Sequence, residues 1–128
     1  MNEVFAFEVS VTETDWKDII NTRNAGRAKS EYHQRVADVW PDIPYTAIRA
    51  RKIGPPHTSA GFERNAKYRG MPDVRCGDRV KVGNSFGVIV GHNSSANFDI
   101  LFDEDAPRYA DLRLNVHPQE IEVLEVAA

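Results

Sequence analysis

The sequence predicts an α+β protein in which an N-terminal strand and helices pack beside a C-terminal barrel of five short β-strands. Three observations predict this arrangement. Apolar residues recur at helical spacing over residues 27–39, whereas short alternating or glycine-bounded apolar runs follow one another from residue 75 onward. Glycine and proline interrupt the chain between the two patterns, at residues 54–56 and 70–72. The predicted division is an α/β part over 1–53, a linker with a short helix over 54–74, and the barrel over 75–128.

The N-terminal part begins with a half-buried strand at residues 4–11, where apolar side chains alternate with small or polar ones. A short helix is expected next, over about residues 13–22. Thr12 and Thr14 offer hydroxyl groups that can cap the start of such a helix, and the apolar side chain of Trp16 follows them.

A longer helix is predicted over about residues 27–39. Its apolar side chains recur on one face at spacings of three and four, and they are Ala28, Tyr32, Val36, Val39 and Trp40. Pro41 cannot continue the helix, which therefore ends near Trp40. Trp16, Trp40 and Tyr32 could form a recognition surface, but their helical spacing favours the core between the N-terminal strand and its helices.

Residues 45–53 predict a second strand. Basic residues crowd its second half at Arg49, Arg51 and Lys52, and this charge predicts an edge position in the sheet. Weak helical character follows around residues 62–68, within the predicted linker.

Five short strands are expected in the C-terminal part, at residues 78–82, 87–91, 98–102, 112–116 and 121–126. Polar loops over residues 92–97 and 103–110 separate the middle strands. An open sheet this small would leave long unpaired edges, so the pattern favours a closed or nearly closed barrel.

The three segments Cys76–Val82, Phe86–Gly91 and Phe98–Asp103, followed by a short return strand, carry a family resemblance. Together they resemble SH3-like barrels of the KOW and Tudor type. The resemblance implies a five-stranded SH3-like β-barrel for the C-terminal part, and no family is identified for the N-terminal half. Members of these families bind RNA, DNA, other proteins or modified side chains, so the resemblance does not select a ligand.

Charge is distributed unevenly along the chain, although the formal net charge is only -3. Residues 1–16 contain four acidic and no basic residues, and residues 77–128 contain nine acidic and four basic residues. Residues 17–76 contain twelve Lys or Arg against six Asp or Glu. The middle of the chain is therefore the region expected to attract a polyanion.

A basic segment with interspersed aromatic residues supplies the leading functional prediction, which is a non-enzymatic protein associated with nucleic acid. Its candidate contact residues are Arg49, Arg51, Lys52, Arg64, Lys67, Arg69 and Tyr68. The alternative interpretation is that these cations pair with the acidic ends of the chain or are simply solvated. A second candidate site is a loop whose short polar side chains could bind a ligand. The same residue types are also common in turns that bind no ligand. Its residues are His92, Asn93, Ser94, Ser95, Asn97, Asn115 and His117.

Two other functions stay open. The first is a protein-interaction adaptor or inhibitor, of the small kind that a mobile element could encode, which uses the acidic barrel to bind a basic protein surface. The second is a small hydrolase-type enzyme that uses His117 or His92 with a nearby aspartate. The enzyme is the less favoured of these, because the chain has no phosphate-binding glycine loop, no nucleophile elbow and no paired nucleophile and base of recognisable spacing.

No cofactor or metal is predicted. The single cysteine, Cys76, is expected to be a buried or half-buried side chain, and the acidic run 103–105 lacks the alternating ligands and glycine of a calcium loop. No apolar run reaches the roughly 18 residues that a membrane-spanning helix needs, and residues 1–8 lack the basic start of a signal peptide. We therefore expect a cytoplasmic protein without a membrane partner, and the sequence predicts no oligomeric state.

Overall fold

The computed structural model describes residues 3–103 and 113–125. Within them the protein is α+β, with two α-helices and two antiparallel sheets. The chain forms two compact units, an N-terminal unit of residues 3–57 and a C-terminal unit from residue 58 onward. Neither described helix has the length and apolar character needed to cross a membrane.

The N-terminal unit is a three-stranded sheet with one helix against it. Its elements are β1 (Phe5–Val11), β2 (Lys17–Thr22), α1 (Ala25–Ala37), a 3-10 turn (Tyr45–Ala47) and β3 (Ile48–Gly54). The sheet order is β2-β1-β3, and β1 is antiparallel to both neighbours. The strand predicted at 45–53 is thus shorter than expected but does occupy an edge of the sheet.

The core of the N-terminal unit follows from two periodicities. Every second side chain of β1 from Phe7 onward is buried, and α1 supplies a stripe of buried side chains one turn apart. The cluster consists of Phe7, Val9, Val11, Ile20, Ala28, Tyr32, Val36, Ile43 and Ile48. Asn24 fixes the start of α1, because its side-chain oxygen accepts a hydrogen bond from the Arg27 N–H.

The prediction of a helix at residues 13–22 is wrong. The structure has a turn followed by β2, in which Ile20 lies opposite Phe7 of β1. The Thr14 hydroxyl does not cap a helix but bonds the Val11 carbonyl oxygen at 2.8 Å within the turn. Glu13 adopts a left-handed backbone conformation with φ of 62°, which closes the hairpin and prevents helical continuation.

The predicted aromatic core of the N-terminal unit is only partly correct. Tyr32 is buried, but Trp16 and Trp40 each remain 41% exposed. The two indole rings contact each other edge to face at a centroid distance of 6.1 Å. α1 ends at Ala37, so Trp40 lies beyond the buried stripe rather than on it.

The C-terminal unit combines one helix with a curled five-stranded antiparallel sheet, which forms a half-barrel. Its elements are α2 (Ala60–Tyr68), β4 (Arg79–Val82), β5 (Ser85–His92), β6 (Phe98–Phe102), β7 (Arg113–Val116), a 3-10 turn (Pro118–Glu120) and β8 (Ile121–Glu125). The order β7-β6-β5-β4-β8 is a four-stranded meander whose fifth strand returns to pair with the first. All five predicted strands are present, while most of the loop predicted at 103–110 lies outside the described residues.

The helix in the predicted linker belongs to the core of the C-terminal unit. Phe62 and Ala66 of α2 are buried against the sheet, and the Phe62 ring stacks on Phe98 at 5.2 Å. The remaining members of this cluster are Val74, Cys76, Val80, Ile89, Ile100, Phe102 and Val116. Cys76 is buried, as expected. The sequence around 60–68 is thus structural, and not a spacer between the two units.

Candidate functional site

The predicted basic segment is divided between the two units. Arg49, Arg51 and Lys52 lie on β3 of the N-terminal unit, whereas the remaining candidates lie on or just after α2 of the C-terminal unit. Residues 3–57 contain eight basic and eight acidic residues, and residues 58–128 contain eight basic and eleven acidic ones. Neither unit therefore carries a net positive charge, although the basic segment does.

Two of the three β3 cations already have a partner. The Arg51 Nη2 donates to Glu8 Oε1 of β1 at 3.1 Å, and the Lys52 Nζ lies 3.6 Å from the centroid of the Phe5 ring. Arg49 lies opposite Ser10 of β1, which in turn lies opposite Lys17 of β2. Neither Arg49 nor Lys17 makes a side-chain hydrogen bond or ion pair that involves the residues the structure describes.

Arg69 is an anchor for the predicted ligand loop. Its guanidinium donates to the carbonyl oxygen of Ser95 at 2.8 Å, to that of Ala96 at 3.2 Å, and to Asn97 Oδ1 at 3.3 Å. Each of these bonds is local to the C-terminal unit. The guanidinium predicted to contact phosphate is therefore largely occupied in holding a turn.

The ligand loop is organised by its own polar groups. Asn93 Oδ1 accepts hydrogen bonds from the N–H groups of Ser95 and Asn97, and the Asn93 N–H donates to the Asn97 carbonyl. Ala96 has φ of 60°, the left-handed conformation that this tight turn requires. The predicted site residues Asn93 and Asn97 thus build the loop, while Ser94 and Ser95 lie exposed at its tip.

A row of amide and carboxyl groups continues from this loop across two strands. Asn97 Nδ2 donates to Asn115 Oδ1 at 3.1 Å, and Asn115 Nδ2 donates to Asp99 Oδ1 at 3.3 Å. The structure therefore does bring Asn97 and Asn115 together, as their joint prediction requires. It brings them together as a hydrogen-bonded row that ties β6 to β7.

The two candidate histidines occupy separate structural positions. The His92 ring packs edge to face on Phe62 at 5.8 Å, and His117 Nδ1 accepts a hydrogen bond from the Gln119 N–H at the start of the 3-10 turn. Asp103, a possible catalytic partner, is buried and accepts two hydrogen bonds from Arg79, at 2.6 and 2.7 Å. Across residues 3–103 and 113–125, no three His, Cys, Asp or Glu side chains are grouped so that they could hold a metal ion.

One face of α2 does present exposed cations beside an exposed aromatic ring, which is the combination that predicted a nucleic-acid contact. Arg64, Lys67 and Tyr68 have the spacing i, i+3, i+4, and all three side chains are exposed on the helix that buries Phe62 and Ala66. Tyr68 is 79% exposed. No ion pair or hydrogen bond is formed by the side chains of Arg64 and Lys67 within the described part of the chain. We call these three residues the α2 face.

A surface of the N-terminal unit holds the two tryptophans for which the sequence favoured a core position over a recognition surface. It contains Trp16, Trp40 and the neighbouring Val39, all three of them exposed. The signal that could have favoured exposure is the set of acidic residues close to each tryptophan, since Asp and Glu are almost never fully buried unless they are paired.

Known proteins offer no guide to these surfaces: no family model matches the chain, nor does any curated protein or solved structure. The function is therefore argued from contacts, exposure and charge.

Proposed function

We propose that this protein is a non-enzymatic binding protein that associates with nucleic acid through the α2 face. The observation that carries the proposal is the cluster of two unpaired cations and one highly exposed tyrosine on a single helix face, Arg64, Lys67 and Tyr68. Cations attract phosphate groups, and an exposed aromatic ring can stack on an unpaired base. The pairing of both kinds of group is typical of surfaces that bind single-stranded nucleic acid.

The support beneath this face is rigid. Phe62 and Ala66 fix the opposite side of α2 in the core, and Ser59 caps its first turn by accepting a hydrogen bond from the Phe62 N–H at 3.0 Å. Arg69 ties the C-terminal end of the helix to the loop over residues 93–97. Side chains presented on such a helix lose little backbone entropy when they bind a ligand.

We propose that the curled sheet of this unit is an SH3-like barrel. The return of β8 to pair with β4, after a meander of four strands, supports this finer assignment. Because barrels of this type bind nucleic acids or proteins, the assignment is compatible with the proposed function and does not by itself select the ligand.

The proposal is tested by fluorescence anisotropy with labelled single-stranded and duplex oligonucleotides at low salt. We expect binding of the single strand, and weaker binding of the duplex because its bases are not available to Tyr68. The double variant Arg64→Ala/Lys67→Ala should bind more weakly, and its plot of log affinity against log salt should be shallower by about 1.4, since each phosphate contact contributes about 0.7. Tyr68→Ala should cost about 1–3 kcal/mol of binding free energy.

The matched control is Lys17→Ala/Arg49→Ala, which removes the same charge from two unpaired cations of the N-terminal unit. We expect this variant to bind like the parent protein. If neither oligonucleotide binds at low salt, the proposed function is wrong. If the two double variants lose affinity equally, net charge is responsible and the α2 face is not the site.

A further inference from the structure

The strongest unassigned feature of the molecule is the tryptophan pair of the N-terminal unit. Trp16 and Trp40 are the only two tryptophans of the chain, and their ring planes stand at 82° to each other. Each is 41% exposed, and Val39 beside Trp40 is 76% exposed. Large aromatic groups left partly in water cost hydrophobic stabilisation, and in binding proteins they are frequently anchors for a partner.

Hydrogen bonds hold the backbone at both tryptophans. The backbone N–H of Trp16 donates to the Thr14 hydroxyl at 3.1 Å, and the Trp16 carbonyl oxygen accepts from the Val11 N–H at 3.1 Å. The Trp40 N–H donates to the Val36 carbonyl at 2.8 Å, and its own carbonyl accepts from the Ile43 N–H. The rings are therefore presented by two braced turns, which reduces the entropy lost when a ligand binds.

Acidic residues predominate around the pair, although Lys17, which directly follows Trp16, is also exposed. The two segments that carry the rings, residues 12–16 and 38–44, contain four acidic residues and no Lys or Arg. These are Glu13, Asp15, Asp38 and Asp42, all exposed. Across the described ranges their carboxylates make no ion pair or hydrogen bond. Residues 3–57 have equal numbers of acidic and basic residues, so this is a local concentration of negative charge in a unit with no net charge.

We infer that the two tryptophans and the four carboxylates form a docking surface for a basic segment of a partner protein, with an arginine seated on the tryptophan pair. The surface consists of Glu13, Asp15, Trp16, Asp38, Trp40 and Asp42. We call it the Trp–acid surface. A guanidinium can stack on an indole face, and tryptophan is the best aromatic partner for a cation. Carboxylates on both carrier segments can then pair with the same guanidinium or with neighbouring basic side chains. Nucleic acids and anionic membrane surfaces are disfavoured here, because the four carboxylates repel them.

This inference is independent of the proposed function. The Trp–acid surface lies on a different unit from the α2 face and carries charge of the opposite sign. It also differs from the adaptor hypothesis reached from sequence, which placed the basic partner on the acidic barrel. Among the barrel carboxylates, Asp99 and Asp103 accept hydrogen bonds from neighbouring side chains and Asp78 Oδ2 accepts one from the Arg75 N–H.

The test uses the two tryptophans as their own reporter. The intact protein is titrated with a hexa-arginine peptide, and tryptophan emission is recorded, with hexa-glutamate as the negative probe. We expect a saturable change in emission with hexa-arginine and no change with hexa-glutamate. Hexa-lysine should bind more weakly than hexa-arginine, because an ammonium group does not stack on a ring as a guanidinium does.

Two charge variants locate the site. Glu13→Gln/Asp15→Asn/Asp38→Asn/Asp42→Asn keeps both tryptophans and should weaken hexa-arginine binding by about tenfold or more. The control is Glu63→Gln/Asp73→Asn/Glu120→Gln/Glu122→Gln, which neutralises four exposed carboxylates of the C-terminal unit. It should bind as the parent does.

Trp40→Ala, followed by the anisotropy of a labelled hexa-arginine, tests the aromatic part of the surface and should also lower the affinity. Its heat-unfolding midpoint by circular dichroism shows whether the variant is folded. The inference is overturned by an absence of saturable change in the parent, by equal losses in the two charge variants, or by unchanged binding in folded Trp40→Ala. Loss in the C-terminal variant alone would also overturn it, and would favour the acidic barrel as the docking face.

Discussion

The two units of this protein treat their polar and aromatic side chains in opposite ways. In the C-terminal unit, Arg69 and Asn93 are engaged with the loop over residues 93–97, and Arg79 is paired with a buried aspartate. In the N-terminal unit, two tryptophans are partly exposed, and the segments that carry them contain four exposed carboxylates without a partner among the described residues. Residues of the kind usually associated with binding are thus structural in one unit, while residues usually found in cores are exposed in the other.

The difference teaches that residue type is a weaker guide to function than whether a side chain already has an interaction partner within the protein. A guanidinium that already donates three hydrogen bonds must break them to bind phosphate, which costs free energy. An indole face that is exposed and an acid that has no partner need break nothing within the protein. The charged groups of the α2 face and of the Trp–acid surface share this property, although their charges are opposite. The Tyr68 ring does have one neighbour, the Arg69 guanidinium, at 5.7 Å from its centroid.

The largest effect is expected where α2 enters the core of the C-terminal unit. Phe62→Ala removes a fully buried ring that stacks on Phe98, and should lower the free energy of unfolding of that unit by about 3–5 kcal/mol. Both tryptophans belong to the N-terminal unit, so tryptophan emission during urea unfolding follows that unit alone. We expect the circular dichroism transition to move to lower urea while the emission transition stays.

The control for this experiment is Tyr68→Ala, on the exposed face of the same helix, which should leave both transitions near their original midpoints. A shift of both signals together in Phe62→Ala would show that the two units unfold as one. The two units would then not be independent in stability, whatever the binding experiments show.

An intermediate effect is expected at Arg69. Arg69→Ala removes three hydrogen bonds to the loop over residues 93–97 and should destabilise the C-terminal unit by about 1–3 kcal/mol. Arg64→Ala, five residues earlier, removes the same charge from an unpaired side chain and should change stability by less than about 0.5 kcal/mol. Urea unfolding followed by circular dichroism separates the two. Equal stability in both variants would mean that Arg69 is not an anchor.

Sequence reasoning located the strands of the C-terminal unit because their boundaries are encoded locally. Glycine at position 87 illustrates this: a Cβ there would lie 2.7 Å from the Leu101 carbonyl oxygen, so the strand requires glycine. Because this glycine directly precedes an apolar run, the sequence indicated the start of a strand without any knowledge of the partner strand. The same reasoning found α2 but not its role, because the burial of Phe62 depends on strands that lie later in the chain.

What sequence reasoning missed was decided by contacts between distant residues. β2 was mistaken for a helix because its apolar pair Ile19 and Ile20 is compatible with either structure, and pairing with β1 decides between them. The basic segment was treated as one surface although glycine and proline interrupt it at residues 54–56, because the sequence does not show that the chain on either side of residue 57 folds into separate units. The occupation of Arg69 was equally invisible, since its partners lie 26 to 28 residues further along.

The smallest effect is expected at Tyr32, a polar group that the N-terminal unit does bury. Burial raises the pKa of its hydroxyl above the usual value of 10.0, the charge of Asp18 raises it further, and Arg35 opposes both effects. The unfolded chain therefore ionises first as the pH rises. The contribution of neutral Tyr32 to folding is complete below about pH 10 and is lost progressively as the pH rises above it.

Urea unfolding followed by tryptophan emission, near neutral pH and again above pH 10, should show this loss in the parent protein. Tyr32→Phe cannot ionise and should lose less stability between the two conditions. Tyr45→Phe is the control, since Tyr45 lies in the same unit but is exposed, and it should keep the alkaline loss of the parent. If Tyr32→Phe and Tyr45→Phe behave alike, the alkaline sensitivity of the N-terminal unit does not arise in its core.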